Sequence, residues 1–550
     1  MRRITIVKKP TWKCQVMTKF LQFFNYLTLF FLFNAATANA DCANYNTKEF
    51  FSEIDYDQFI HCSSVRSGAL NFAKDSAGNI PIFNAIAANV DPFDISTFFN
   101  ELDDEQITKL FSVKNNKQQS LLHFALEAQV DIELLLAALS WGMSADQLAV
   151  GSKRYVADAY AFKNDPRDVL TSALLKLAGA QLSVSPSLTY SDQLALYKPE
   201  LWSEISFGKF VEDLSSQVNT SFTDDECRSF ITFENMKDFG LDEFIGCPEI
   251  PFEEYFDADG SNFLHLISRH ASDPKLFDVF LGNLDEELRN NLLTTGDRNG
   301  LVPLHVAALY NSNPSIITRL IAWGTSPDVP VERKVKWNEV LTRDWKKRPV
   351  HFAAERGDAF SYDMMLTLLA HGAKPSVQDP NGNTALHLLL SKEVTDTAKI
   401  SMLLYAHNIN AGIISAAFSD HTKMPKNAKG ATPLLYAVTK KLGDSSDRYS
   451  EESVRHYFMV REFLEFGSNP DSADENGWTP LLLYALRGND ADTFLELLFY
   501  SGKACDTVND DGITVLAALK KNQSMSSQNV FDGTFETSVL GFFQKECFGK

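Results

Sequence analysis

Positive charge is scarce in this chain: 51 Lys and Arg face 71 Asp and Glu, a net of −20. Six of the basic residues and no acidic one precede Asp41, so the remainder holds 45 basic against 71 acidic residues, net −26. A surface that acidic excludes general nucleic-acid binding, which needs cations to neutralise phosphates, and disfavours docking on anionic lipid. Only one extended apolar stretch occurs, residues 20–33, and it is short for a membrane span and broken by Gln22 and Asn25. Motifs that carry chemistry are missing as well. There is no Gly-x-Ser-x-Gly, no Walker loop and no Gly-x-Gly-x-x-Gly. Neither Cys-x-x-Cys nor His-Glu-x-x-His is present, so no metal or cofactor is expected. A cysteine–histidine dyad is not excluded by spacing, because its partners are distant in sequence. The adjacency of His61 and Cys62 does not make one, since an oxidised cysteine is no thiolate.

The length, 550 residues, suits two or three domains or one long array, and 45% hydrophobic content marks a folding chain. Residues 1–40 read as an export signal: basic residues first, then the apolar run, then Ala38-Asn39-Ala40 before Asp41. Met17 is an alternative start, and a retained anchor is the competing reading. Cys14 would leave with the signal, and six cysteines remain. Cys42 and Cys62 are 20 apart, as are Cys227 and Cys247, and Cys505 and Cys547 are left over. An even number in an oxidising compartment predicts disulfides, and the equal spacing favours sequential pairing. The bland alternative is reduced thiols packed as small apolar groups.

What the chain has in abundance is a recurring phrase. Asp-x-x-Gly-x-x-x-Leu-His runs from Asp257 to His265 and again from Asp297 to His305. It returns as Asp379, Gly382, Thr384, Leu386 and His387, with an echo at Pro349-Val350-His351. Later copies keep the turn and lose the histidine: Gly430 with Thr432-Pro433, Asp474 and Gly477 with Thr479-Pro480, Asp510 and Gly512 with Thr514. Self-similarity at this period marks stacked repeats, which work as surfaces. Asp or Asn with Gly makes a tight turn, and Thr-Pro starts a helix. A second amphipathic stretch then ends at Gly324, Gly372, Gly467 or Gly502.

These residues resemble the ankyrin repeat family, well from Asp257 to about Leu519 and moderately in an earlier block with Asp75, Gly78, Pro81, Leu121, Leu122 and His123. The resemblance implies an all-α helical repeat solenoid of helix-turn-helix units joined by protruding hairpin fingers. It is expected here as two modules, residues 41–182 and 227–550, with a divergent segment, 183–226, between them. Residues 46–62 and 231–247 share a plan of helix, acidic break, helix, Phe-Ile-x-Cys, and read as disulfide-stapled caps. Residues 174–180 look like a degenerate second helix, and most of the 42 Phe are read as core.

His123, His265, His305, His351 and His387 recur in register, so stacking would align them. A metal ladder is one reading. In ankyrin proteins, however, this histidine hydrogen-bonds between neighbouring loops, and the resemblance implies that role here. Three insertions, residues 325–348, 411–429 and 440–455, lengthen the repeats. The first two follow a helix and extend a finger; the third falls between two helices of one unit. Residues 332–348 carry net +4 in an otherwise acidic protein, with Arg333, Lys336, Arg343, Trp337 and Trp345 among them. Tryptophan and arginine dominate binding hot spots. This loop is therefore the candidate site for a protein partner with an acidic segment; the alternative is that it folds onto the protein's own acidic surface. The Asn219 sequon matters only in a eukaryotic secretory pathway. The expectation is a non-enzymatic, monomeric protein-interaction scaffold, periplasmic or secreted and not inserted in a membrane. The competing classes are an exported enzyme with the repeats as scaffold and a host-directed effector.

Overall fold

A computed structural model describes residues 72–88, 104–130, 222–230, 240–247, 250–332, 345–392, 424–439, 451–465, 467–531 and 536–549, with residue 102 and isolated positions between 134 and 180. The export segment, Cys42, Cys62, the sequon, the cap at 46–62, and the loop residues Arg333, Lys336, Trp337 and Arg343 lie outside the described residues. So do residues 183–221 and 231–239. The chain forms two compact units. One is residues 1–102 with 395–550; the other is 103–394. Among the described residues helix dominates and strand is confined to one short hairpin, consistent with the all-α, ankyrin-like expectation.

The first described helix, α1 (Pro81–Ala87), belongs to the former unit. In residues 103–394, α2 (Asp104–Ser112) and α3 (Leu121–Glu127) come first. Then α4 (Asp224–Phe230) is tied to the end of α5 (Leu241–Ile245) by the Cys227–Cys247 disulfide, with Cα atoms 5.6 Å apart. Phe244, Phe252, Phe263 and Phe280 pack beside this staple, with ring centroids 4.6 to 6.2 Å apart. Regular pairs follow: α6 (Phe263–His270) with α7 (Lys275–Gly282), a supplementary α8 (Glu286–Thr294), then α9 (Pro303–Tyr310) with α10 (Pro314–Ala322). Next come α11 (Pro349–Glu355) with α12 (Ser361–Ala370), and finally α13 (Ala385–Ser391).

First helices pack on first helices, α6 on α9, α9 on α11 and α11 on α13. Second helices do the same, α7 on α10 and α10 on α12. The sequence explains why. Each helix is only about two to three turns long, too short to be stable alone, and buries apolar side chains such as Phe277 or Phe352 completely. Burying one such ring gains about 1.5–3 kcal/mol. Proline opens α9, α10 and α11, where its missing N–H costs nothing. Gly324 ends the α10 turn at φ +112°, a conformation that spares a Cβ.

In the other unit, α14 (Pro433–Ala437) packs on α15 (Glu451–Glu465), and α16 (Pro480–Arg487) on α17 (Ala491–Tyr500). The last repeat helix, α18 (Val515–Lys521), is followed by a four-residue turn of helix, α19 (Gln523–Ser526). A hairpin of β1 (Asn529–Phe531) and β2 (Glu536–Ser538) leads into α20 (Val539–Phe548). Phe543 of α20 approaches Phe494 of α17 at 6.3 Å, and Cys505–Cys547 ties the helix to the loop between α17 and α18. The Thr-Pro starts behave as expected: Thr479 Oγ1 accepts from Leu482 N at 3.1 Å, and Thr432 Oγ1 from Leu435 N at 3.4 Å.

Three boundaries differ from the sequence reading. Residues 451–455 of the third insertion are the first turn of α15. The helix before Gly502 ends at Tyr500, and Ser501 leaves it in an extended conformation, so that glycine is not the stop. Helix α4 begins at Asp224, ahead of the segment that resembles the first cap. Among the described positions of residues 174–180, Leu174 and Leu175 are helical and buried, as a degenerate helix requires.

Candidate binding site

Each finger is made by one residue's side chain. Oδ1 of Asp297 accepts from Asn299 N and Leu301 N, both at 2.8 Å, while Gly300 N donates to the Asp297 carbonyl at 2.9 Å. The same double acceptance is made by Asp75, Asn115, Asp257, Asp379, Asn427 and Asp474. This is an Asx turn, which needs a short carbonyl side chain at its head and positive φ three residues on. The last copy is headed by Asn509, whose Oδ1 accepts from Ile513 N at 2.8 Å, and not by Asp510 as the phrase suggested. Asn115, with Gln118 at φ +63° where a glycine usually stands, is a copy that the phrase did not reveal.

Neighbouring fingers touch through a repeated bond. The N–H after each head donates to a carbonyl of the preceding finger: Arg298 to Asp259 at 2.7 Å, Glu475 to Lys429 at 2.8 Å, Asp510 to Asn476 at 3.2 Å. Arg298 adds an exposed ion pair with Asp259 at 3.1 Å, of small energetic weight.

The aligned histidines are clamps. At His305, Nδ1 accepts from the Val302 N–H at 3.1 Å, closing its own helix start, and Nε2 donates to the Val329 carbonyl at 3.0 Å. His351 does this with Arg348 N and Val377 O, and His265 with Asn262 N and Leu301 O. His387 Nδ1 accepts from Thr384 N, and His123 Nδ1 meets Ser120 Oγ. The ring thus replaces the acidic half of a capping box and ties one helix start to the next finger. Both nitrogens of His305 and His351 are committed, and one must be an acceptor, so the neutral ring is required. Burial is the main reason that His305 is held down to about 3 and His351 to about 4. The ordered row is therefore structural. Among the described residues no cluster of three or more metal-ligating side chains occurs.

The finger that carries the insertion is built differently. Val331 N donates to the Lys347 carbonyl at 2.9 Å and Lys346 N donates to the Val331 carbonyl at 3.0 Å. Val331 therefore occupies the head position, and Lys346, at φ +64°, occupies the glycine position. Where other fingers have two residues between those points, residues 332–345 stand here. The insertion is spliced into the tip, and residues 325–331 and 346–348 belong to the ordinary finger.

That correction also divides the basic charge. Lys347 is buried and its Nζ donates to both carboxylate oxygens of Glu355, at 2.7 and 2.8 Å. A guanidinium nitrogen of Arg348 donates to the Asp328 carbonyl. Trp345 is half-buried, with the Lys346 ammonium 4.3 Å above its ring. The root of the loop is thus spent on its own protein. The sequence offered no signal for this, because Lys347 and Glu355 are separated by a helix start.

Behind the fingers lies a buried polar group of another kind. The Asp278 carboxylate accepts from Trp323 Nε1 at 3.0 Å and lies 3.4 Å from Arg319 Nε. Burial pushes its carboxyl up to about 6, against the opposing pull of Arg319. The Arg289 guanidinium sits 4.9 Å over the Trp323 ring. These residues pin α7, α8 and α10 together.

No family model matches the chain, and no curated protein matches it. Among solved structures, an ankyrin repeat domain from Acinetobacter baumannii AYE is 21% identical over 43% of this chain and 95% of that chain, with a TM-score of 0.31.

Proposed function

We propose that this protein is a non-enzymatic scaffold of ankyrin-type repeats that holds a protein partner at the finger extended by residues 332–345. The observation that carries the reading is the splice itself. The clamps and backbone bonds of an ordinary finger are kept at Val331, Lys346 and His351, and twelve additional residues stand between them in the sequence. A rigid root with a variable tip is how repeat proteins build recognition surfaces. After Lys347 and Arg348 are discounted, the tip still holds Arg333, Lys334, Lys336 and Arg343 against Glu332, Glu339 and Asp344. In a chain of net −20, an acidic partner segment is steered to that point. Trp337 is the apolar anchor, with Trp345 at the root and Arg333, Lys336 and Arg343 around it.

The finer architecture is proposed on the same grounds: a solenoid in two modules, 41–182 and 227–550, joined by 183–226 and working as a monomer. The Cys227–Cys247 and Cys505–Cys547 bonds support action in an oxidising compartment, periplasmic or secreted. Among the described residues no helix is long and apolar enough to cross a membrane. The test is affinity capture from the native compartment with wild type and with Trp337→Ala, Arg343→Ala together. Loss of a partner with unchanged circular dichroism is expected. A variant that keeps every partner removes the loop from the reading.

A further inference from the structure

The unit of residues 1–102 and 395–550 contains a cleft that the finger reading does not use. It has a volume of about 800 Å³ and lies where the ends of α15 and α17 meet the fingers headed by Asn427 and Asp474. That size falls within the usual range for a ligand pocket. Its walls are largely apolar, with Met424, Leu464, Pro470 and Tyr500 among them. Two polar groups stand out. The Ser468 hydroxyl is buried, 5% exposed, and has no hydrogen-bond partner. An unpaired buried hydroxyl costs free energy and calls for an explanation. The Asp471 carboxylate lines the cleft and is held in place by the Ser501 hydroxyl and by Gly502 N at 2.8 Å.

The wall carries one charge of each sign, Asp471 and Lys426, together with two helix ends of negative polarity. Gly467 and Gly502 in its wall follow the carbonyl ends of α15 and α17, where the helix dipole favours cations. Asp471 adds a full negative charge. The cation in the wall, Lys426, donates to the Ala473 carbonyl at 2.6 Å.

We propose that this cleft receives an arginine side chain from a partner polypeptide. The aliphatic stem would lie along Met424, Leu464 and Pro470, and the guanidinium would meet Asp471 and the Ser468 hydroxyl. Arginine suits the site better than a bare ammonium because its planar donors reach a carboxylate and a hydroxyl together. The site is separate from the basic finger and does not depend on it.

The experiment is calorimetric titration of the full-length chain with an acetylated, amidated pentapeptide, Leu-Gly-Arg-Gly-Leu, and with its citrulline, glutamate and lysine counterparts. Binding of the arginine peptide is expected, with at least about tenfold loss on replacement by neutral citrulline and none detected for glutamate. Asp471→Asn preserves the shape and should also lose about tenfold. Ser468→Ala should weaken binding while leaving the melting temperature unchanged or higher, because an unpaired buried hydroxyl is removed. Trp337→Ala should leave the titration unchanged, which keeps this result distinct from the fate of the finger. Equal binding of the arginine and citrulline peptides would make the cleft an apolar anchor and overturn the proposal. So would binding weaker than about 1 mM for all four peptides, or an Asp471→Asn variant that binds as well as wild type.

Discussion

The finger headed by Asp297 and the finger headed by Val331 have the same clamp and different closures. In the first, one carboxylate oxygen holds two backbone N–H groups and a glycine at φ +81° completes the turn. In the second, the head has no polar side chain. Closure is left to the pair of backbone bonds that both fingers make, here between Val331 and residues 346–347, with Lys346 carrying the positive φ. Support comes from the side, through the Lys347–Glu355 pair and the Arg348 bond to Asp328. The comparison teaches that the turn chemistry is dispensable where the histidine clamp and a lateral ion pair fix the strand ends. That is the condition under which a long insertion is tolerated, since lengthening a closed loop costs little entropy.

The strongest way to break the comparison is at Gly300. A Cβ there would lie 2.8 Å from the Glu332 carbonyl oxygen, in the finger that carries the insertion. Gly300→Val therefore combines left-handed strain, roughly 1–3 kcal/mol, with a clash against the next finger. A loss of about 3 kcal/mol is expected in chemical denaturation. An unmoved midpoint would mean that the tips do not touch.

The clamps are next. His305→Ala forfeits the bonds to Val302 N and the Val329 carbonyl from a ring that is fully buried, at a cost of about 2–3 kcal/mol. His351→Ala should cost about the same if the inserted finger is as firmly rooted; a cost under about 1 kcal/mol would show a loose root. Their protonation gives an independent readout. Both rings have folded values far below the ordinary value of about 6.5, at about 3 and about 4. The unfolded state binds more protons across that interval. Stability is thus complete above about pH 6.5 and falls as the pH drops toward 4, by about 2 kcal/mol per histidine at pH 5. Asp278 acts with the opposite sign. Its folded value, raised to about 6, means that protonation between 6 and about 4 favours the fold and offsets part of the loss. Denaturation at pH 7 and pH 5, in wild type and in His305→Gln, separates these contributions. A pH response unaltered by the substitution would remove His305 from the account.

Much of this was legible in the sequence. The heads Asp257, Asp297, Asp379 and Asp474, the glycines after them, and the Thr-Pro starts follow from local stereochemistry and stand where they were expected. The histidine register was legible, and its role between loops holds. The rest depends on residues distant in the chain. Trp323 and Asp278 are 45 positions apart, and no spacing rule joins them. Nothing at Val331 signals that it heads a finger, because its partners lie beyond the insertion. The hairpin and α20 carry no repeat phrase, so no motif in the sequence announced them. Asn509 was displaced by one residue because Asp510 beside it is as good a turn former, and only the hydrogen bond to Ile513 decides between them.

The smallest effect addresses the comparison most directly. Lys346 takes φ +64° at a position where seven other fingers have glycine: Gly78, Gly260, Gly300, Gly382, Gly430, Gly477 and Gly512. A left-handed residue with a Cβ costs about 1–2 kcal/mol. Glycine would relieve that strain and return part of the gain through the greater freedom of the unfolded chain. Lys346→Gly should then stabilise by about 0.5–1 kcal/mol, seen as a melting temperature raised by about 2–4 °C. It removes one positive charge from the root and leaves the Lys347–Glu355 pair in place. If the variant gains stability and keeps its partner, Lys346 is a tolerated cost of the splice. If it gains stability and loses the partner, the lysine is retained for binding, and the strained root belongs to the recognition surface. If it loses stability, the ammonium resting over Trp345 outweighs the backbone strain, and the two fingers are closed by different physics at this position as well.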